Sequence, residues 1–227
     1  MNASSIFVII PAYNEEQVIG SVLNDLMAFG YSIVVVDDGS RDATYHTAEQ
    51  FPVHLLQHEC NLGQGAALQT GISYVLGLNK ANAIVTFDAD GQHDPVDIAR
   101  VVNPIIKGKC DVVLGSRFLE KDLTSNLKLD KYLTLRMAVI ITRLSTGLVL
   151  TDTHNGFRAF SPDAARKIKI TQNGMAHASQ LLKQIARQHL IYQECPVKIS
   201  YTAYSLSKGQ SIMNGINILW DSFWGGE

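Results

Sequence analysis

Cysteine is scarce in this 227-residue sequence, and its three cysteines are spaced too irregularly to indicate a metal site. Cys60, Cys110 and Cys195 form no CxxC pair, and an odd number of cysteines argues against a disulfide framework. A chain of this kind is typical of a reducing compartment. We therefore expect a cytoplasmic protein.

Basic tracts and long apolar runs are also absent. Nineteen Lys and Arg residues balance 21 Asp and Glu residues, for a net charge of −2, which excludes a nucleic-acid-binding protein of the basic type. No apolar run approaches the roughly 20 residues that a membrane-spanning helix needs. The first apolar run, residues 6–10, has the length of a strand and no basic segment before it, unlike a secretion signal. Any membrane contact is therefore expected at the surface.

Two common nucleotide-binding fingerprints are missing as well. The first apolar run is followed by no GxGxxG segment, which argues against a dinucleotide-dependent dehydrogenase. The glycine-containing segment Asn61-Leu62-Gly63-Gln64-Gly65 does not end in the Gly-Lys-Ser/Thr of a P-loop. Its glycines allow either close approach of a ligand to the backbone or close helix–strand packing, and the sequence does not decide between the two.

Short apolar runs alternate with helical patterns through the first half of the chain. Strands are predicted at residues 6–10, 33–36, 53–56 and 84–87, and helices at 18–26, 43–51, 64–78 and from Asp94-Pro95 onward. Asp42 and Asp94 are the predicted N-caps of the second and fourth helices. Such alternation predicts an α/β protein in three layers, with a mixed, mostly parallel sheet flanked by helices.

The second half is less regular. Strands are predicted at residues 112–114, 157–160 and 196–201, a loop at 120–130, and helices at 129–144 and 177–188. A last amphipathic segment runs from 211 to 224. No linker or repeat divides the chain, so one domain is expected.

Paired carboxylates follow the strand predicted at 84–87. Asp88 and Asp90 lie two residues apart in Asp88-Ala89-Asp90-Gly91-Gln92, so they project to the same side of an extended segment. Open α/β sheets bind their ligands at this carboxyl end of the strands. The side-chain oxygens of Asp88, Asp90 and Gln92 suit a hard divalent cation that would neutralise a diphosphate. His93 is left out of this ligand set, because Mg²⁺ prefers oxygen.

Six motifs occur in a familiar order. They are Pro11-Ala12-Tyr13-Asn14-Glu15-Glu16, Val36-Asp37-Asp38-Gly39-Ser40, Asn61-Leu62-Gly63-Gln64-Gly65, Asp88-Ala89-Asp90, Gly115-Ser116-Arg117-Phe118 and Asp152-Thr153-His154-Asn155-Gly156-Phe157-Arg158. Together they resemble family 2 glycosyltransferases of the GT-A fold, in the branch of the dolichol- and polyprenyl-phosphate sugar transferases. The resemblance covers residues 6–201.

The resemblance implies a reaction. It implies inverting transfer of a hexose from a nucleotide-diphosphate sugar, of the GDP-mannose or UDP-glucose type, to polyprenyl or dolichyl phosphate, with Mg²⁺ or Mn²⁺. It divides the single domain into a nucleotide-sugar-binding half (6–125), an acceptor-binding half (126–205) and an amphipathic tail (206–227). The donor-binding residues that it implies are Pro11, Ala12, Tyr13, Glu15, Val36, Asp38, Gly63, Asp88, Ala89, Asp90 and Lys208.

Several of these residues have an ordinary structural explanation too. The ring of Tyr13 can stack on a base and Glu15 can accept from a sugar, but acids such as Glu15 also favour a helix N-terminus. Asp38, which by resemblance contacts the base or ribose, also fits a solvated Asp-Gly turn. Lys208 either reaches the donor phosphates when a lid closes or lies in a surface turn.

Two arginines indicate the acceptor. Guanidinium groups bind phosphate bidentately, and a phosphate monoester is already largely dianionic at neutral pH, so it needs positioning more than a general base. We expect Arg117 and Arg158 to bind the acceptor phosphate, although both could instead pair with acids such as Asp152. Asp152 would orient an arginine, or act as base if the acceptor is a hydroxyl.

Other interpretations stay open at this point. His154-Asn155 replaces the usual Thr-Ser of the family, and Gln180 stands where many relatives carry glutamate. A transferase acting on a hydroxyl of a surface polysaccharide is one alternative, and a non-catalytic GT-A module in a membrane glycosylation complex is another. The stripe on the 129–144 helix, with Arg136 and Arg143, either contacts a membrane surface or packs in the core or in a homo-oligomer interface.

Overall fold

A computed structural model describes residues 2–120, 129–153, 155–174 and 176–200 of the chain. The strands within these ranges are β1 (Ile6–Ala12), β2 (Ser32–Asp37), β3 (His54–Gln57), β4 (Ala83–Thr86), β5 (Val112–Ser116), β6 (Arg158–Phe160) and β7 (Tyr192–Pro196). The α-helices of the same described residues are α1 (Ile19–Met27), α2 (Thr44–Glu49), α3 (Gln64–Leu78), α4 (Asp97–Ile106), α5 (Leu129–Thr146), α6 (Pro162–Lys167) and α7 (His177–Arg187). A short 3₁₀ turn, Ala3–Ser5, precedes β1.

The described strands form one sheet in the order β3-β2-β1-β4-β6-β5-β7. Of these described strands, only β6 runs antiparallel to its neighbours, so the predicted mixed, mostly parallel sheet is confirmed. The chain builds β1, β2 and β3 outward and then returns to place β4 on the other side of β1. This reversal makes the carboxyl ends of β1, β2 and β4 the expected ligand crevice.

Helices cover both faces of the sheet, as the three-layer prediction requires. One apolar core joins alternate residues of β1 to α1 and α4, and a second core joins the other residues of β1 to α3 and α7. Because the central strands are buried on both faces, their sequences are nearly continuous apolar runs rich in β-branched residues. This burial makes the sheet a rigid platform for the loops at its edge.

β1 is longer than the sequence predicted. Pro11 does not end the strand, which pairs with β2 through Pro11 and Ala12. Along a strand, the backbone amides of residues 9 and 11 face the same neighbouring strand, which here is β4. Pairing with β4 stops at Ile9, so the missing N–H of Pro11 costs no ladder bond.

Other boundaries need correction. The last strand was predicted at 196–201, whereas β7 ends at Pro196 and only Ile199 makes an isolated bridge, to His93. Helix α6 was not predicted, although Ser161 accepts from the Ala164 N–H as its N-cap and Pro162 is its first residue. Helices α2 and α4 begin at Thr44 and Asp97, so the N-caps predicted at Asp42 and Asp94 were wrong. Both acids instead accept backbone N–H groups just before the helices.

Candidate active site

A cavity of about 360 Å³ opens at the carboxyl ends of β1, β2 and β3. It is lined by Tyr13, Gly39, Ser40, Arg41, Gln57, His58, Glu59, Cys60 and Asn61. Tyr13 is 39% exposed, so its ring is available to stack on a planar ligand. Three of the motifs singled out in the sequence meet here, with a ring, amides and charged groups suited to a base and a ribose.

Asp38 is buried beneath this cavity and makes several hydrogen bonds. Its carboxylate accepts from the Leu62 and Gly63 N–H groups at 3.0 and 2.7 Å and lies 2.7 Å from Nδ1 of His58. The other ring nitrogen of His58 is 2.9 Å from the Thr70 hydroxyl. Asp38 therefore fixes the loop that lines the cavity, and its predicted contact with base or ribose remains a prediction.

The glycines at 63 and 65 are explained by packing. A Cβ on Gly63 would lie 2.3 Å from the Asn173 carbonyl oxygen, and one on Gly65 would lie 2.0 Å from that of Gln172. Gly63 also has φ of +99°, a conformation that favours glycine. Since Asp38 accepts its N–H, that group is not open to a ligand. Both glycines therefore lie close to the loop at residues 172–173, whereas the sequence had suggested close contact with a strand or with a ligand.

Gln180 holds this same loop. Its side-chain oxygen accepts from the Thr171 and Gln172 N–H groups at 2.9 and 3.1 Å, and its amide donates to the Thr171 hydroxyl. A glutamate could accept the two N–H groups equally well. The side chain at position 180 therefore anchors the loop, and a glutamate there would keep these two bonds.

Asp88 and Asp90 follow β4 at the centre of the crevice edge. Asp88 accepts from the Gln64 side chain at 3.1 Å, and its carboxylate is 28% exposed. Burial favours a higher pKa for Asp88, but the hydrogen bond and charge of His93, together with Arg158, lower it overall. Burial and the Asp88 charge raise the pKa of Asp90. Two carboxylates that repel each other in this way are suited to share a cation.

The residues present fit a divalent cation. The two carboxylates offer oxygen ligands, and Gln92 lies close enough to donate its N–H to Asp90 at 3.0 Å and its side-chain amide to the same carboxylate. Among the described residues, no group of three His, Cys, Asp or Glu side chains is arranged to hold a metal. Diphosphate oxygens of a bound nucleotide would therefore have to complete the coordination.

His93 belongs to this site, although the sequence analysis left it out. Its Nε2 is 3.0 Å from a carboxylate oxygen of Asp88, and its ring packs between Phe87 and Phe157 with centroid distances of 5.3 and 5.0 Å. The aromatic contacts hold the ring in place, so that His93 orients Asp88. Its position three residues after Asp90 was visible in the sequence, but its contact with Phe157 was not.

Arg117 and Asp152 form a buried ion pair beyond the end of β5. Arg117 Nε donates to Asp152 Oδ2 at 2.6 Å, and the Arg117 backbone N–H reaches the same oxygen at 3.3 Å. The Asp152 side chain is fully buried. Of the two roles predicted for Asp152, the structure therefore shows the contact expected of the first, in which Asp152 orients an arginine.

Arg158 lies between the two halves of the site. Its side chain is buried in β6, and the charges of Asp88 and Asp152 both act on it. Burial lowers the pKa of Arg158 to about 10, so it stays charged at neutral pH. Within the described part of the chain its guanidinium makes no ion pair within 4 Å and no hydrogen bond. Burial and the Arg158 charge lower the pKa of His177, which is neutral at pH 7 beside it.

The other residues predicted to bind the donor lie elsewhere in the chain. Pro11, Ala12, Val36 and Ala89 are buried, and Val36 belongs to the core between the sheet and α3. Glu15 is half-buried, and its backbone N–H donates to the Thr44 hydroxyl at 2.7 Å. Lys208 and the 206–227 tail lie outside the described residues. The donor contacts proposed for all of them stay predictions.

Gly156→Ala is expected to damage the carboxylate site selectively. A Cβ at residue 156 would lie 2.4 Å from Asp88 Oδ2, so the carboxylate has to move. A displacement of this size should reduce transfer roughly 10- to 100-fold and raise the metal concentration needed for half-maximal activity. Gly77→Ala is the matched control, because no atom lies within 4 Å of its added Cβ. Equal metal dependence in both variants would contradict the assignment.

None of the helices among the described residues is long and apolar enough to cross a membrane. The exposed face of α5 nevertheless carries Met137, Ile140 and Leu144, which are 53%, 52% and 83% exposed. Arg136 and Arg143 are exposed on the same helix. The predicted combination of an apolar stripe with two arginines is thus present at the surface.

Comparison with known proteins agrees with this geometry. The chain is 40% identical over 96% of its length to an uncharacterised protein of Methanocaldococcus jannaschii, covering 91% of that protein. It is 36% identical to the UDP-N-acetylglucosamine–dolichyl-phosphate N-acetylglucosaminyltransferase of Methanococcus voltae, over 95% of this chain and 93% of the relative.

A solved structure shows the same fold. Glucosyl-3-phosphoglycerate synthase of Mycobacterium tuberculosis, in complex with Mn²⁺, UDP and its product, superposes with a TM-score of 0.67 at 20% identity, over 96% of this chain and 80% of the other. The expected GT-A fold is therefore confirmed. The model of glycosyl transferase family 2 matches residues 7–169, so this chain is a glycosyltransferase that belongs to that family.

Proposed function

We propose that this protein transfers a hexose from a nucleotide-diphosphate sugar to a polyprenyl or dolichyl phosphate. The observation that carries the proposal is Arg158, a buried guanidinium that makes no hydrogen bond within the described chain and lies near both Asp88 and Asp152. Asp88 and Asp152 offset part of the cost of burying this charge, but among the described residues they accept no hydrogen bond from it, so its N–H donors can still bind an anion. The phosphate of the acceptor supplies that anion.

The donor occupies the other half of the crevice. Its base and ribose fit the cavity beside Tyr13, and its diphosphate lies toward Asp88 and Asp90. A divalent cation, Mg²⁺ or Mn²⁺, neutralises the diphosphate leaving group when it is bound there. The relative from Methanococcus voltae is named for UDP-N-acetylglucosamine, which makes a UDP-sugar the first donor to test.

The chain's own residues then have to position a nucleophile. Arg158 and Arg117 hold the acceptor phosphate, and Asp152 keeps Arg117 in place through the 2.6 Å ion pair. An oxygen of the phosphate dianion attacks the anomeric carbon as the bond from that carbon to the diphosphate breaks. The electron pair leaves with the nucleoside diphosphate. No proton has to be removed from a dianionic nucleophile, so no general base is required.

A hydroxyl acceptor is less well supported. It would require Asp152 as general base, but that side chain is fully buried and bonded to Arg117. A base must lie within hydrogen-bond reach of the proton that it removes. The transferase directed to a surface polysaccharide therefore remains the second candidate.

The stereochemistry of the product provides the test. Direct displacement predicts that an α-linked nucleotide sugar gives a β-linked lipid phosphate, without a covalent sugar–enzyme intermediate. We would incubate the protein with Mn²⁺, polyprenyl phosphate and either UDP-N-acetylglucosamine, UDP-glucose or GDP-mannose, and determine the anomeric configuration by proton NMR. A retained configuration would overturn the displacement mechanism. Transfer only to a hydroxyl acceptor would overturn the lipid phosphate.

We also propose that α5 contacts the membrane that holds the lipid acceptor. Replacing Ile140 with Gln should weaken binding to vesicles containing anionic lipid, because it removes apolar area from the exposed face. Flotation with vesicles measures the change, and Leu62→Gln, on an exposed loop near the donor cavity, is the control. A dimer that dissociates in Ile140→Gln, with no change in vesicle binding, would assign this face to a homo-oligomer.

A further inference from the structure

Glu194, on the edge strand β7, uses its carboxylate to hold the loop that carries Asp152. The two carboxylate oxygens accept the Thr151 N–H at 2.8 and 2.9 Å. One of them also accepts the Asp152 N–H at 3.1 Å and the Thr151 hydroxyl at 3.0 Å. The described residues of this segment, 147–153 and 155–157, contain no helix or strand, so these bonds restrain it in place of a backbone ladder.

The same network reaches the loop that carries Arg117. The Thr151 hydroxyl is 2.6 Å from the Ser116 hydroxyl, which in turn accepts the Phe118 N–H at 3.1 Å. Asp152 completes the connection through its two bonds to Arg117. Through these described bonds, Glu194 is linked to Arg117 by way of Thr151 and Asp152.

This arrangement places one acid close to another. Burial raises the pKa of Glu194 first, and the charge of Asp152 raises it further, while the bonds from Thr151 and Asp152 lower it. A carboxylate kept beside a second carboxylate is a local cost to stability. Such costs are commonly found where a fold fixes the geometry of a functional site.

We propose that Glu194 is a positioning residue of the acceptor site. Its carboxylate fixes the main chain at Thr151 and Asp152, so that Asp152 directs Arg117 toward the acceptor phosphate. This inference rests on the proposed function for the role of Arg117, but the positioning itself is a property of the loop. Among the bonds of the described residues, none joins the donor cavity or Asp88 to this network, so we expect donor binding not to depend on it.

Two substitutions distinguish the effect of losing the hydrogen bonds of Glu194 from the effect of losing its charge. Glu194→Ala removes every acceptor, whereas Glu194→Gln keeps one oxygen that can accept the Thr151 and Asp152 N–H groups. We expect Glu194→Ala to lower kcat/KM for polyprenyl phosphate roughly tenfold or more, with nucleotide-sugar affinity changed less than about twofold. Glu194→Gln should recover most of that loss. Glu49→Ala, an exposed acid on α2, is the control.

Amide hydrogen exchange provides a readout that does not need an acceptor. In Glu194→Ala the Thr151 and Asp152 N–H groups should exchange at least about tenfold faster, with the donor-cavity loop unchanged. Thr151→Val keeps the backbone N–H and replaces the hydroxyl with a methyl group, so it should speed exchange less than Glu194→Ala, and it is the variant to measure if Glu194→Ala fails to fold.

The outcomes distinguish this inference from the proposed function. A wild-type protein that transfers no sugar to polyprenyl phosphate would overturn the proposed function, while the exchange measurement would still decide whether Glu194 fixes the loop. Unchanged exchange at Thr151 and Asp152 would overturn the positioning role. So would a loss of donor affinity in Glu194→Ala as large as the loss of kcat/KM for the acceptor.

Discussion

Asp90→Asn is expected to reduce sugar transfer by about 10³-fold or more, because it removes one of the two charges that hold the cation on the diphosphate. The fold should be unaffected, since Asp90 lies at the crevice edge and, among the described residues, accepts hydrogen bonds from Gln92 alone. Transfer rates at a series of Mn²⁺ concentrations measure the effect. Asp163→Asn, which changes an exposed acid on α6, is the control.

Asp90→Asn should raise the thermal stability of the metal-free protein even though it lowers activity. The pKa of Asp90 is raised in the folded state by burial and by the Asp88 charge, so the folded chain holds this proton more tightly than the unfolded chain. Its contribution to stability is therefore present at low pH and is lost as pH rises through the folded-state pKa. At neutral pH, Asp90→Asn removes the repulsion and should raise the Tm of the metal-free protein by about 1–2 °C. Full activity of this variant without metal would refute the cation site.

The sheet was predictable to the extent that its strands are buried on both faces. Residues 33–36 and 84–87 are uninterrupted β-branched or aromatic runs, and the structure has strands at or within one residue of both. Helix α3 has the predicted bounds, Gln64–Leu78, because its apolar spacing is regular and Asn79 ends it in the left-handed conformation.

The errors occur where one face of an element meets solvent or a polar site. β7 is an edge strand that carries Gln193 and Glu194, so it lacks the apolar run that identifies a buried strand. The run at 196–201 looked more like a strand, but Val197 and Ile199 pack there without a ladder. Helix α6 has only six residues, too few for a periodic pattern to be recognised.

The site shows the same division between local and distant information. Asp88 and Asp90 could be identified because their spacing and the preceding strand are local in sequence. The close approach of Gly63 to Asn173 and the orientation of Asp88 by His93 depend on contacts formed only by folding. No pattern in a single sequence reports that a glycine will meet a carbonyl group 110 residues away.

Arg158 illustrates what the structure adds to a motif. The sequence left open whether Arg117 and Arg158 pair with acids or bind phosphate. The structure shows that the two residues differ in their bonding. Arg117 is bonded to Asp152, whereas the guanidinium of Arg158 makes no hydrogen bond within the described chain. Replacement by lysine, which preserves the charge, is therefore expected to affect the activity differently at the two positions.

Arg158→Lys is expected to lower kcat/KM for the lipid phosphate by about 10²-fold, while the affinity for the nucleotide sugar changes less than about threefold. Lysine keeps the positive charge beside Asp88 and Asp152, so the carboxylates and the fold should tolerate it. It loses the planar fork that binds two phosphate oxygens at once, which is the property that the acceptor requires. Initial rates at varied polyprenyl phosphate, together with calorimetric titration of the donor, separate the two effects. Arg166→Lys, which changes an exposed arginine paired with Asp163, should leave both unchanged. If Arg158→Lys weakened donor binding and left the acceptor KM unaltered, Arg158 would belong to the diphosphate site, and the anion that matches its buried charge would be the leaving group rather than the nucleophile.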